Sequence, residues 1–154
     1  MSREIWHELL FNAPAADVYA ALTDTNAHWW TIDVRGQAKV GAHMDFWFGD
    51  FCQRMDVIEL VPGEMMRWRP AAQGISEWVG TEIEFRIVER EGKTILDFRH
   101  SGWRDETTYL PHCSFNWAIY LLSLKELVET GRGRPFPYER PINLARPARL
   151  AQAA

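Results

Sequence analysis

The chain has 154 residues, enough for one domain with a real core and too few to make two the default. Seventeen Lys and Arg against twenty-one Asp and Glu leave a formal charge of −4, so no global positive field gathers nucleic acid or an anionic membrane surface. No apolar run approaches the ~20 residues that span a bilayer, and MSREIWHELLF lacks the basic, apolar, small-residue order of a secretory leader, so a cytoplasmic location is expected.

Arg3 to Phe11 alternates Ile5, His7, Leu9 and Phe11 against Trp6, Glu8 and Leu10, which predicts a first strand with one buried face. Asn12 to Pro14 opens a short helix whose stripe is Val18, Tyr19 and Leu22, and a second short helix or turn carries His28, Trp29 and Trp30. Ile32 to Val40 reads as a polar edge strand. His43 to Gly49 places Met44, Phe46 and Phe48 on one face and His43, Asp45 and Trp47 on the other. Phe51 to Val61 returns as a fourth strand, with Glu59 on the Val57 face, and Glu64 to Arg69 makes a fifth with Met66 and Trp68 together.

The sixth strand is read from Val79, Thr81, Ile83, Phe85 and Ile87, alternating with a mostly charged set. A Glu91–Gly92–Lys93 turn leads into a seventh, where Thr94, Leu96, Phe98 and His100 share the inward face, while Trp103, like Trp6 and Trp47, falls outward by alternation. From Pro111 to Gly131 the apolar residues Cys113, Trp117, Tyr120, Leu121, Leu124, Leu127 and Val128 recur at spacings of three and four, the signature of a long amphipathic helix. His112 or Ser114 is expected to cap its start, and Gly131 to end it in the left-handed conformation. The class is therefore α+β: an antiparallel sheet curled around a C-terminal helix. The domain is expected over residues 1–131. Residues 132–154 form a Pro- and Arg-rich tail, extended and lying on its own domain or on a neighbouring subunit.

Several stretches in this order carry a resemblance: NAPAADVYAALTD (12–24), HWW (28–30), VIELVPGE (57–64), EWVGTEIEFRI (77–87), TILDFRHSGW (94–103) and the helix CSFNWAIYLLSLKELVETG (113–131). Together they resemble the Hsp90-activator-homologue-like proteins of the START-related helix-grip (SRPBCC) superfamily. The resemblance implies a seven-stranded antiparallel sheet gripping the long helix, with a cavity between them that holds apolar or amphipathic small molecules in related proteins. It does not imply one chemistry, because a shared fold is not a shared reaction.

The inward columns nominate Phe46, Phe48, Val57, Thr81, Phe85, Phe98 and His100 from the sheet, and Cys113, Trp117, Tyr120 and Leu121 from the helix, as the lining of a ligand cavity, and Glu77 is counted among the ligand-binding residues as a candidate partner of His100. The same residues also suit a filled core. His100 is a titratable ring on an apolar face and needs a partner, for which Thr81, Glu77, Tyr120 and Cys113 are candidates. Three readings follow. The first is enclosure of a small apolar or aromatic ligand. The second is a cyclase- or hydrolase-like enzyme with His100 as general acid or base. The third is a protein-binding module whose patch comprises Trp6, Trp47, Trp103 and the tail, through which a homodimer could also form. No motif implies a cofactor. Cys52 and Cys113 lack CxxC or Cys/His ligand spacing, so free buried thiols are expected rather than a bridge or metal site.

Overall fold

The computed structural model describes residues 3–104 and 107–141. Its elements run β1 (Arg3–Phe11), α1 (Ala15–Thr23), a 3-10 turn (Asn26–His28), β2 (Asp33–Gly36), β3 (His43–Phe48), β4 (Phe51–Val61) and β5 (Met65–Pro70). A second 3-10 turn (Ser76–Trp78), β6 (Glu82–Arg90), β7 (Lys93–Trp103) and α2 (Leu110–Thr130) complete it. The strands form one seven-stranded antiparallel sheet in the order β1-β7-β6-β5-β4-β3-β2, so β2 to β7 is a continuous meander and β1 joins at the far edge. This is the helix-grip architecture. Its inner face buries Phe46, Met55, Val57, Trp68, Ile83, Phe85 and Phe98 against α2, whose buried residues include Cys113, Trp117, Tyr120, Leu121 and Leu124.

The outer face is a lattice of ion pairs, as the charged alternate positions require. Arg67 bridges Glu59 and Glu84, Arg86 also meets Glu84, Arg69 meets Glu82, and Arg54 grips Asp45. The hydrogen bond from Arg54 holds the Asp45 carboxyl below its ordinary range. Burial alone would raise Glu84, but hydrogen bonds from Arg67 and Arg86 bring it down.

Two bulges correct the alternation. Val57 pairs with Trp68 while Glu59 pairs with Arg67, two residues of β4 against one step of β5. The extra residue turns Glu59 outward to Arg67 at 2.9 Å, away from the Val57 face on which alternation placed it. On β7, Ile5 pairs with His100 and Arg3 with Trp103, so Ser101 and Gly102 oppose the single residue Glu4 of β1. Gly102 supplies the φ of 85° that this bulge needs. Trp103 is thereby swung inward and is only 1% exposed, so it does not belong to an outer patch. Of the other two tryptophans of that patch, Trp6 is 59% exposed beneath the Arg99 guanidinium, 4.1 Å above its ring, and Trp47 lies beneath Arg35 at 5.0 Å.

Three boundaries differ from expectation. The second strand keeps only Asp33–Gly36 of the predicted Ile32–Val40. The sixth begins at Glu82 because Ser76–Trp78 closes a 3-10 turn and Gly80 takes a positive φ, leaving Thr81 just ahead of the strand. The long helix starts at Leu110 with Tyr109 as N-cap, while Ser114 Oγ faces His7. Gly131 ends it with φ 84° as predicted.

Beyond Gly131 the chain stays on the domain as far as residue 141. Residues 132–141 form a strap back across the opening between α2 and the β2–β3 edge. The Arg134 amide donates to Ser123 Oγ, the Phe136 amide to the Trp30 carbonyl, and the Ile32 amide to the Phe136 carbonyl. Phe136 packs edge-on against Phe48 at 5.3 Å. So the described part of the tail lies on its own domain, while the remainder, including Arg146, Pro147 and Arg149, lies outside the described residues.

Candidate functional site

Between the sheet and α2 the rings are in mutual contact. Trp30 is their hub: it stacks on Trp68 at 5.7 Å, and its centroid lies 4.3 Å from Phe46, 5.6 Å from Phe48 and 5.1 Å from Trp117. Phe85 meets Trp68 and Phe98 at 5.1 Å each, and Phe98 meets Trp117 at 4.7 Å. Trp78 stacks on Trp117 at 5.9 Å and stands edge-on to His100 at 5.0 Å. The 3-10 turn after α1 delivers Trp29 and Trp30 into this space, and the turn before β6 delivers Trp78; both turns bury their tryptophans almost completely.

His100 is wholly buried, and both ring nitrogens are engaged. Trp117 Nε1 lies 3.1 Å from His100 Nδ1, and because an indole N–H can only donate, Nδ1 accepts. The proton of the neutral ring is then on Nε2, which donates to Thr81 Oγ1 at 2.8 Å; Thr81 in turn donates to the Trp78 carbonyl at 2.6 Å. One directional chain therefore ties α2, β7 and the Trp78 turn together. Burial pulls the His100 pKa down to about 3, as a neutral, fully bonded imidazole requires. Such a ring has no free lone pair or exchangeable proton at neutral pH to offer a substrate.

Of the residues nominated from the sequence, Phe46, Phe48, Val57, Thr81, Phe85, Phe98, His100, Cys113, Trp117, Tyr120 and Leu121 all lie buried between sheet and helix. Cys113 accepts from Trp78 Nε1 at 3.4 Å. Tyr120 is buried at the strap end, and burial, then the charge of Glu139, raise its phenol above its ordinary value. Glu77 stands apart: its carboxylate accepts from Thr107 and lines a small recess with Trp103, Arg104 and Thr107. Trp30, Trp68 and Trp78 were missed. Trp68 sat on the correct face of its strand, but Trp30 and Trp78 lie in turns, where alternation gives no direction.

The six indoles of the interior fall into two groups. Trp29, Trp78 and Trp117 have acceptors: the Ala21 carbonyl, Cys113 Sγ and His100 Nδ1. Trp30, Trp68 and Trp103 have none among the described residues, although each is at most 1% exposed. No cluster of three His, Cys, Asp or Glu able to hold a metal ion occurs among the described residues, and no described helix is long and apolar enough to cross a membrane.

A family model described as "Activator of Hsp90 ATPase homolog 1-like protein" matches residues 12–129. A solution structure of the Aha1 dimer from Colwellia psychrerythraea shares 35% identity, covers 85% of this chain and 99% of its own, and superposes with a TM-score of 0.79. CalU16 from Micromonospora echinospora shares 23% identity over 88% of this chain and 78% of its own, TM-score 0.69. DynU16, from the dynemicin biosynthetic locus, shares 18% over 84% of this chain and 48% of its own, TM-score 0.70. The last two are alike in fold alone. No curated protein sequence matched.

Proposed function

This chain belongs to the activator of Hsp90 ATPase homolog 1-like family, and within its helix-grip fold we propose that it encloses a small apolar or aromatic molecule between the sheet and α2. The supporting observation is the aromatic interior around Trp30, roofed by Phe136 of a strap that lies outside the segment matched by the family model. Flat rings on facing elements suit a planar guest, and a roof on a separate segment gives a way in. The rings touch one another in this structure, so admission of a guest requires the strap with Phe136 to lift and the rings beneath it to part. Phe46, Phe48, Val57, Thr81, Phe85, Phe98, Cys113, Trp117, Tyr120 and Leu121 are the proposed contacts, with His100 holding the wall in place rather than reacting. The bonded, low-pKa His100 weighs against the cyclase- or hydrolase-like alternative.

Native mass spectrometry of protein purified gently from its host is expected to show a stoichiometric small-molecule adduct that is released on denaturation. An apo mass, together with no tryptophan-fluorescence response to a panel of bicyclic apolar compounds, would remove the reading.

A homodimer is the second proposal. The Colwellia relative was solved as a dimer, and α2 here exposes Phe115 (56%) and Leu122 (52%) on its outer side, about two turns apart. Light scattering is expected to give twice the monomer mass, and Leu122→Asp with Phe115→Asp to return it to monomer. A monomeric parent protein would end the proposal.

A further inference from the structure

The enclosed molecule, on the reading just given, has a definite hydrogen-bonding character. We infer that it is a neutral, planar compound bearing a carbonyl-type oxygen, and that the indole N–H groups of Trp30 and Trp68 receive that oxygen. Trp30 and Trp68 are stacked within 10° of parallel, are 1% and 0% exposed, and neither Nε1 has an acceptor among the described residues. An indole N–H is a donor only, so nothing but an acceptor can satisfy it. Buried donors left unmet are rare in folded proteins because each forfeits its hydrogen bonds to water.

The neighbours cannot supply the need. The rings of Phe46 and Phe85 have no lone pairs, Trp117 is itself a donor committed to His100, His100 Nδ1 is occupied by that bond, and no described backbone carbonyl bonds either indole. Among the described residues none supplies the acceptor, and a bound molecule is its assigned source.

The same surroundings choose its charge and shape. A carboxylate would enter an interior where the buried imidazole of His100 is held neutral, and it would lose its hydration without gaining a cation there. A neutral carbonyl pays far less. A flat ring system beside it can lie against the aromatic walls formed by Phe46, Phe85 and Trp117. An alcohol or amine would bring a donor into a space that already has unpaired donors, so a pure acceptor is preferred over both.

The test compares matched bicyclic probes that differ at one atom: 1-indanone (carbonyl) and indane (no polar atom), titrated into nitrogen-15-labelled full-length protein. Two of the indole N–H resonances, assigned by their disappearance in Trp30→Phe and Trp68→Phe, are expected to move downfield with 1-indanone and not with indane. 1-Indanone is expected to bind at least about 10-fold more tightly than indane, and that ratio to fall about 10-fold in Trp68→Phe, the effect of one good hydrogen bond. Should Trp68→Phe fail to fold, Trp30→Phe carries the same comparison. Equal affinity of the two probes, with no indole shift, overturns the acceptor inference while leaving enclosure intact. Binding of neither probe overturns both.

Discussion

Replacing His100 by alanine is expected to destabilise the protein by on the order of 3 kcal/mol, a large fraction of a domain's stability. The change removes a fully packed ring and also strands its two partners, since Trp117 Nε1 and Thr81 Oγ1 lose the atoms they bond inside a dry interior. Urea unfolding measures it, and a loss below about 1 kcal/mol would mean the chain of bonds from α2 to the Trp78 turn is not what holds that region.

A pH signature accompanies this. His100 stays neutral in the native state down to about pH 3, whereas in the unfolded chain it protonates near its ordinary 6.5. Below 6.5 the unfolded state therefore binds more protons, so its contribution is fully present above pH 6.5 and is lost as pH falls toward 3. Between pH 6.5 and 4.5, above the ordinary carboxylate range, the native protein is expected to lose up to about 1.4 kcal/mol per pH unit through this residue. In His100→Gln that component disappears. An equal slope in both proteins would show that the ring is hydrated and free to protonate.

Gly133→Ala is expected to cost about 2–3 kcal/mol and to lift the strap. A Cβ at Gly133 would sit 2.4 Å from the His28 carbonyl oxygen and 2.9 Å from that of Ser123, both backbone atoms that cannot swing aside. The strap must therefore move, taking with it the Arg134–Ser123 and Phe136–Trp30 bonds. Thermal melting is expected to fall by roughly 5–10 °C, with faster hydrogen exchange at the Phe136 and Ile32 amides. Unchanged exchange at those two amides would mean the strap tolerates the methyl group by a shift elsewhere.

The sheet and long helix were legible in the sequence because their signal is periodic. Thr94, Leu96, Phe98 and His100 have one inward direction whatever the rest of the chain does, and the spacing of Cys113, Trp117, Tyr120 and Leu121 admits one helical face. The errors sit where a single residue breaks the period. The bulges at Ile58 and at Ser101–Gly102 each reverse every later side chain, which moved Glu59 out and Trp103 in. Gly102 was the available hint, since glycine inside a strand often marks such a break. The alternation of β7 alone turns His100 inward, and Thr81, an inward polar residue on the neighbouring column, is the partner of its Nε2. Trp117 was nominated as lining but not as the donor, because contact across helix and sheet leaves no mark in local spacing. The hub position of Trp30 had no signal beyond its place in HWW.

The strand order has a consequence for the newly made chain. β2 through β7 each pair with the strand just before or after them in sequence, so they can assemble as they are synthesised, one hairpin at a time. β1 cannot: Phe11 pairs with Thr94 and Ile5 with His100, and both partners are made long afterwards. The first strand of the protein is thus the last to find its place in the sheet. Until then Ile5, Leu9 and Phe11 have no strand beside them, and a chaperone would find its work at the beginning of this chain.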